Sequence, residues 1–314
     1  MNSTGRLPIR HFLQPRYWTT WFGLGLLRLI ICLPYGWQLS LGRALGKLMY
    51  RLMTRRRHIA SINISLCFPE LDSEAQQRLV LQAFQSVSIS LFETALSWWA
   101  SDRRLAPLCN IEGLQHLQQA LQRARQQGSG VILLSAHFTC LEIGGRLLAL
   151  QQPFAVMYKK HRNAVFERVM KRARETQFQQ AIPQEDIRAM LRALKQHLAV
   201  WYAPDQDLGR ERSVFAPFMG VPAATLMAPA RLTRMSHALV VPFFPMRKAD
   251  GSGYQLTLLP ALEDFPVDDE MENASRINRL IETQLRKAPE QYLWLHRRFK
   301  TRPDNQPSVY QRQA

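Results

Sequence analysis

A histidine and a glutamate lie five residues apart in the segment VILLSAHFTCLEIGGR, residues 131–146. His137 follows a short apolar run that is typical of a buried strand, and Glu142 falls in the first turn of a predicted helix, where a carboxylate is favoured. On one continuous helix the two side chains would diverge by about 140°, but a turn between strand and helix can bring them together. The pattern indicates that the Glu142 carboxylate orients the His137 imidazole, so that the imidazole can act as a general base. The alternative is an ordinary hydrogen-bonded pair.

A second strand end presents a carboxylate in a similar way. The apolar run at 199–202 ends in the polar segment APDQD, which contains Asp205. Ligands of open α/β sheets bind beyond the carboxyl ends of the strands, so both segments are candidates for one site.

Helical and strand patterns alternate along the chain and predict an α/β fold with a mixed, mostly parallel sheet flanked by helices. The predicted helices begin at 71, where Ser73 and Gln76 form a capping-box pattern, at 112, at 141 with Thr139 as N-cap, and at 166. The predicted strands cover 131–134, 154–158, 199–202, 238–244 and 254–259.

The first 69 residues contain ten Lys and Arg and no acidic residue, so they supply +10 of the formal net charge of +17. Residues 18–41 are largely apolar and about long enough to cross a bilayer, although Arg28 and Pro34 interrupt the run. The basic residues that follow suit anionic lipid headgroups. We expect an uncleaved N-terminal membrane-anchor helix with a basic juxtamembrane helix at 1–60, an α/β domain at 61–303 and a loose tail at 304–314. A buried core helix, or a segment lying in one leaflet, is the alternative for the anchor.

Other site classes lack their signatures in this sequence. The four cysteines have no paired or metal-ligand spacing, and Cys140 has the apolar neighbours of a packing residue rather than a nucleophile. No nucleotide loop, metal motif or nucleic-acid module is present, so we predict no metal, no cofactor and no nucleic-acid partner.

The chain closely resembles the late lipid A acyltransferases of Gram-negative bacteria. The resemblance runs from about residue 11 to 303 and includes PRYWTTWFGLGLLR, NISLCFPE, HFTCLE, WYAPDQD, SVFAPFMGVPAATL, LVVPFFPMRKADGSGYQL and APEQYLWLHRRFKTRP. It implies a glycerolipid-acyltransferase-like fold at the cytoplasmic face of the inner membrane, with an N-terminal anchor in the phospholipid bilayer. The donor would be an acyl carrier protein thioester and the acceptor a hydroxyl of a lipid A precursor of the Kdo2-lipid IVA type.

The resemblance also implies site residues. Its HxxxxE motif corresponds to His137 and Glu142, and two further site positions correspond to Arg174 and Asp205. We expect His137 to act as base, Glu142 to orient it, and Arg174 to bind phosphate or developing negative charge, with Asp205 holding Arg174. A purely structural Arg174–Asp205 salt bridge is the alternative.

Acyl carrier proteins are acidic and the acceptor carries phosphates and carboxylates, so basic residues are candidates for substrate docking or for a solvated face. The candidates are Lys159, Lys160, Arg162, Lys171, Arg297 and Arg298. In YKKHRNAVFE, Lys160 and Ala164 stand where relatives commonly have proline, which leaves the acceptor position open. Acylation of a lysophospholipid or another glycolipid, and a non-catalytic membrane scaffold, remain alternatives.

Overall fold

A seven-stranded sheet forms the centre of the protein, whose computed structural model describes residues 12–304 and 306–311. From one edge to the other, its strands are β1 Cys109–Glu112, β9 Tyr254–Leu258, β8 Leu239–Arg247, β2 Val131–Leu134, β5 Ala199–Tyr202, β3 Ala155–Tyr158 and β4 Gln180–Pro183. Within the described residues, β8 and β9 pair antiparallel and the other neighbours pair parallel. This confirms the predicted mixed, mostly parallel sheet. A separate antiparallel hairpin consists of β6 Ser213–Phe218 and β7 Val221–Leu226.

Helices flank the sheet. Their bounds are α1 Trp18–Ile30, α2 Tyr35–Leu52, α3 Thr54–Cys67, α4 Ser73–Trp99, α5 Asp102–Leu105, α6 Leu114–Gln126, α7 Leu141–Ala149, α8 Ala164–Gln177, α9 Ile187–Lys195, α10 Ala228–Ser236 and α11 Glu270–Leu285. The N-cap of α4 is Asp72, whose carboxylate accepts the Ala75 amide at 2.7 Å, rather than the predicted Ser73. Asp72 takes this position because an ionised carboxylate also interacts favourably with the helix dipole.

The long helix α4 is part of the core. Among the described residues it is the one helix with the length and apolar composition of a membrane span, and 61% of the most apolar part is buried inside the protein. Its buried side chains include Val80, Phe84 and Leu96. Helix α4 therefore packs as a core helix. Its C-terminal end carries Trp98, which lies next to the site.

The apolar run that predicts a single N-terminal anchor helix folds as two helices, whereas its contact with a membrane stays a prediction. Helix α1 ends at Ile30, and α2 begins after Pro34, which cannot continue a helix from the preceding turn. The Gln38 side chain closes the bend by donating to the carbonyls of Ile31 at 3.3 Å and Leu33 at 2.8 Å. Thirteen residues of α1 span about 20 Å, which is short of the roughly 30 Å hydrocarbon core.

Helices α1 and α2 both pack against the rest of the protein. Gly42 and Gly46 of α2 face α4 so closely that a Cβ at either position would lie within 3 Å of α4 atoms. Leu24 of α1 is buried in a cluster with Trp98 and with Met170 of α8. The proposed division of the chain at residue 60 stays a prediction, but α1 contacts the same helices that carry the candidate site.

The outer faces of α1 and α2 remain apolar. On α1, Trp18, Phe22 and Leu29 are 63%, 76% and 69% exposed and share one face. On α2, Trp37, Leu41, Leu48 and Leu52 are exposed at helical spacing. An exposed apolar surface of this kind marks a contact with a membrane or another protein.

The C-terminal segment returns to the core. Asn63 of α3 donates to the carbonyls of Trp294 and His296, both at 2.7 Å. Tyr310 is buried, and its hydroxyl donates to the Asn63 side chain. Of the predicted loose tail, residues 305 and 312–314 lie outside the described residues.

Candidate functional site

The pairing of β2 with β5 brings His137 and Asp205 together. Leu134 and Tyr202 are register partners at the carboxyl ends of the two strands, and the Ser135 amide extends the pairing by donating to the Tyr202 carbonyl at 2.9 Å. His137 and Asp205 each lie three residues further along their chains. Their meeting beyond the sheet edge therefore follows from the register.

His137 and Asp205 form a buried hydrogen-bonded pair. Asp205 Oδ1 lies 2.6 Å from His137 Nδ1, and Asp205 Oδ2 accepts the His137 backbone amide at 3.0 Å. The Asp205 side chain is 2% exposed, whereas the His137 side chain is 27% exposed. Because an ionised carboxylate only accepts, the Nδ1 atom carries the proton and Nε2 is left as a base.

The electrostatics of this pair are reciprocal. Burial by itself would lower the pKa of His137, but the negative charge and hydrogen bond of Asp205 outweigh it and raise that pKa above 6.5. Burial would raise the pKa of Asp205, but the charge of His137 and its hydrogen bonds lower it to about 2. Asp205 thus stays ionised at neutral pH and stabilises an imidazolium when one forms.

Glu142 pairs with Arg174 and does not orient the imidazole. Arg174 donates from Nε to Glu142 Oε1 at 3.0 Å and from Nη2 to Oε2 at 2.6 Å, and Trp98 Nε1 donates to Oε1 at 3.1 Å. The expected Glu142–His137 and Asp205–Arg174 pairs are therefore wrong. The physical reason is that Glu142 is on α7, which faces α8, whereas Asp205 follows the strand that is paired with β2.

The turn between His137 and Glu142 is fixed from several sides. The Thr139 amide donates to the Gln291 carbonyl at 2.7 Å, and the Thr139 hydroxyl is 2.7 Å from the Ser86 hydroxyl. Thr139 is therefore not the N-cap of α7, a position taken by Cys140 without a side-chain capping bond. Burial raises the pKa of the Cys140 thiol to about 12, so this cysteine is a packing residue, as predicted.

Behind this turn lies a buried ion pair that sequence reasoning missed. Arg247 donates from Nε and Nη2 to both oxygens of Glu93 at 2.7 and 2.8 Å, and from Nη1 to Ser86 at 3.3 Å. The Tyr254 hydroxyl also donates to Glu93, at 2.8 Å. The only sequence signal was an acid on the apolar face of α4. Through Ser86 the pair is connected by hydrogen bonds to the turn that carries His137.

An apolar slot of about 60 Å³ opens beside the Glu142–Arg174 pair. Gly145 of α7 stands opposite Phe154 and Phe178, whose rings meet edge to face at 5.2 Å. Trp201 lines the slot, and its ring centroid is 6.4 Å from that of His137. The remaining lining residues are Leu141, Val156 and Met157. The slot can hold a narrow aliphatic group next to the site.

The predicted docking residues differ in exposure. Lys159, Lys160, Arg162 and Lys171 are exposed, and two of them have carboxylate partners, Glu185 for Lys160 at 3.2 Å and Glu175 for Lys171 at 3.5 Å. Arg297 is half-buried over the ring of Tyr310.

Arg298 is not a docking residue. It is 2% exposed and donates to the Ala224 carbonyl at 2.7 Å and to the Thr225 hydroxyl at 3.1 Å. Its guanidinium stacks 4.8 Å from the Phe218 ring centroid. These contacts fix the β6–β7 hairpin against the C-terminal segment, while the buried Nε of Arg298 has no hydrogen-bond partner among the described residues.

The chain matches one protein family over nearly its whole length. The family model for the bacterial lipid A biosynthesis acyltransferase matches residues 9–301. The lipid A biosynthesis palmitoleoyltransferase of Escherichia coli K12 is 42% identical over 302 residues, which cover 96% of this chain and 97% of that protein. The lauroyltransferase of the same strain is 41% identical, covering 95% and 96%. A lipid A biosynthesis acyltransferase of Haemophilus influenzae is 35% identical, covering 96% of each.

Proposed function

Because the chain belongs to the bacterial lipid A biosynthesis acyltransferase family, we propose that it transfers a fatty acyl chain from an acyl carrier protein thioester to a hydroxyl of a Kdo2-lipid IVA-type precursor. The observation that carries this proposal is the His137–Asp205 pair, which leaves one imidazole nitrogen free at the sheet edge beside an apolar slot. The slot can take a narrow part of the acyl chain, and the free nitrogen can accept the proton of the hydroxyl.

The chemistry follows from the pair. A lipid hydroxyl is a poor nucleophile at neutral pH, so His137 Nε2 removes its proton as the oxygen attacks the thioester carbonyl. Asp205 holds the required tautomer and stabilises the imidazolium. When the C–S bond breaks, the imidazolium returns the proton to the departing thiolate, and an ester and a thiol are the products.

Arg174 has a different role in this scheme. Its guanidinium is held in place by both oxygens of Glu142, and the two side chains are 16% and 20% exposed. A positioned arginine at the edge of the slot can stabilise the developing oxyanion or a substrate phosphate. Glu142 then acts as a positioning residue for Arg174.

We place the protein at the cytoplasmic face of the inner membrane, with α1 and α2 lying in the bilayer surface. The exposed apolar faces of α1 and α2 support this placement, and so do the exposed basic residues Arg43, Lys47 and Arg51 of α2. Aromatic residues next to cations are typical of helices that lie in the lipid interface. Such a position keeps the site close to a membrane-embedded acceptor.

The test is an acyl-transfer assay with purified protein in mixed micelles. Wild type and His137→Ala are incubated with acyl carrier protein thioesters and, in separate reactions, with the lipid A precursor, a lysophospholipid and an unrelated glycolipid. We expect a mass increase of one acyl chain on the precursor, and a loss of about 10²–10⁴ in rate for His137→Ala. Product on another acceptor alone would reassign the substrate, and no product with any acceptor would favour a scaffold. A folded His137→Ala with wild-type rate would contradict the mechanism.

A further inference from the structure

Two adjoining cavities lie between α1, the C-terminal end of α4 and α8, with volumes of about 400 and 310 Å³. Their linings share Arg28, Trp99 and Val169. Trp21, Leu24 and Gly25 of α1 extend the lining toward the exposed apolar face of that helix. We call the two cavities together the α1–α8 groove.

The groove is adjacent to the candidate site but separate from the apolar slot. Its α8 wall consists of Val169, Arg172, Ala173 and Thr176, which share one helical face, whereas Arg174 lies on another face and contacts Glu142. Trp98 forms the wall between the two, because it lines the groove and donates to Glu142 at 3.1 Å. A ligand in the groove would therefore approach the Glu142–Arg174 pair from the side opposite the slot.

The groove contains cations without anionic partners. Arg28 and Arg172 are exposed, and within residues 12–304 and 306–311 neither forms an ion pair with a carboxylate. The Arg28 guanidinium lies over the Trp99 ring at 5.5 Å and reaches the Trp99 carbonyl at 3.5 Å, which aligns it along the groove wall. By contrast, Arg146 nearby is paired with Asp102. Two free guanidiniums beside an apolar wall match an amphiphile with a phosphate headgroup.

We propose that the α1–α8 groove binds the lipid acceptor, with Arg28 and Arg172 engaging its phosphate and the aromatic wall taking the adjoining chain. This inference rests on the proposed function, since it names where that acceptor is held. It also gives α1 a role in substrate binding, because α1 supplies one of the two cations and the apolar mouth of the groove.

The experiment measures equilibrium binding of the acceptor in donor-free detergent micelles, so that no turnover is needed. The ligands are a phosphorylated lipid A precursor and the same lipid after phosphatase treatment. The proteins are wild type, Arg28→Gln, Arg172→Gln and the double variant, with Arg125→Gln as control, because Arg125 is exposed on α6 outside the groove. Thermal melting of each preparation checks that the variants fold.

We expect each groove variant to weaken binding of the phosphorylated lipid about tenfold, as loss of a charge-assisted hydrogen bond predicts, with Arg125→Gln unchanged. The dephosphorylated lipid should bind wild type and variants equally weakly. An equal loss with both lipids would overturn the proposal, as would a loss that appears only when the micelles contain phosphatidylglycerol, since the groove would then bind bulk lipid. Absence of acyl transfer by wild type would refute the proposed function, whereas the binding difference reports on the groove alone.

Discussion

Replacement of Asp205 by asparagine tests whether Asp205 or Glu142 is the carboxylate that orients the His137 imidazole. In the structure Asp205 accepts two hydrogen bonds from His137, at Nδ1 and at the backbone amide. An asparagine has one acceptor oxygen, so if that oxygen keeps the backbone amide, its NH₂ group faces Nδ1. The imidazole proton must then move to Nε2, and the base is lost.

The size of the effect follows from that tautomer change. Loss of a positioned general base lowers the rate by about 10²–10⁴, and the corresponding change in serine protease triads lowers kcat by about 10⁴. We therefore expect Asp205→Asn to lose about three orders of magnitude at neutral pH. Glu142→Gln should retain the His137 tautomer.

The pH dependence has a defined sign. The base works when unprotonated, so the raised pKa of His137 places the acidic limb of wild-type kcat/KM above 6.5. In Asp205→Asn the burial of His137 remains while the carboxylate charge is gone, so the pKa of His137 falls and the residual activity loses that limb. Initial rates of thiol release between about pH 5 and pH 9, the range in which histidine titrates, measure both effects.

Asp207→Asn is the matched control. Asp207 is also buried, but its carboxylate accepts from the Thr301 amide at 2.6 Å and the Thr301 hydroxyl at 2.8 Å, and not from His137. It should lower the melting temperature and leave the acidic limb in place. The assignment of Asp205 as the orienting carboxylate is wrong if Asp205→Asn keeps the wild-type rate and the acidic limb of the kcat/KM profile. It is also wrong if Glu142→Gln is the variant in which that acidic limb moves.

Three further changes test neighbouring features. In a double-mutant cycle of activity, the free-energy effects of Arg174→Ala and Glu142→Ala should couple by about 0.5–3 kcal/mol. The effects of Arg174→Ala and Asp205→Ala should be additive. The reverse result would support the Arg174–Asp205 pair instead. Gly145→Leu should shift product masses from a mixed acyl donor pool toward shorter chains, since a Cβ there lies 3.5 Å from Phe178. Gly145→Ala is its control, and an unchanged Leu product spectrum would remove the slot as the acyl site. Phe22→Glu should reduce sedimentation with anionic liposomes more than Gln118→Glu on the exposed face of α6; equal loss would show that charge alone matters.

The sequence predicted the strand ends but not their partners. Apolar runs at 131–134 and 199–202 were sufficient to predict β2 and β5, and with them the position of His137 and Asp205 beyond two strands. Which strands are neighbours depends on non-local pairing, and here β5 lies between β2 and β3 although β3 precedes it in the chain. Sequence proximity therefore favoured Glu142 as the partner of His137, while the sheet order gave that place to Asp205.

Burial of charge was the second feature that local patterns could not predict. Arg298 lies in the basic segment HRRFK, which suggested a docking surface, yet both of its Nη atoms donate to β7 residues and its guanidinium stacks on a ring of β6. The Glu93–Arg247 pair joins residues 154 positions apart. A buried charge is tolerated only where tertiary structure supplies its partner, so its position cannot be inferred from either segment alone.

The two hydrogen-bonded pairs of the site are held by different parts of the fold. His137 is held by strand register, through β2 and β5, and by the turn that Ser86 and Gln291 tie to the core. The Glu142–Arg174 pair instead joins α7 to α8, and α8 packs against the buried face of α1 around Leu24. A displacement of α1 would therefore act on Arg174 through α8, whereas it would reach the turn of His137 only through α4 and Ser86. Membrane contact should for that reason change KM for the acceptor more than the pH dependence set by His137.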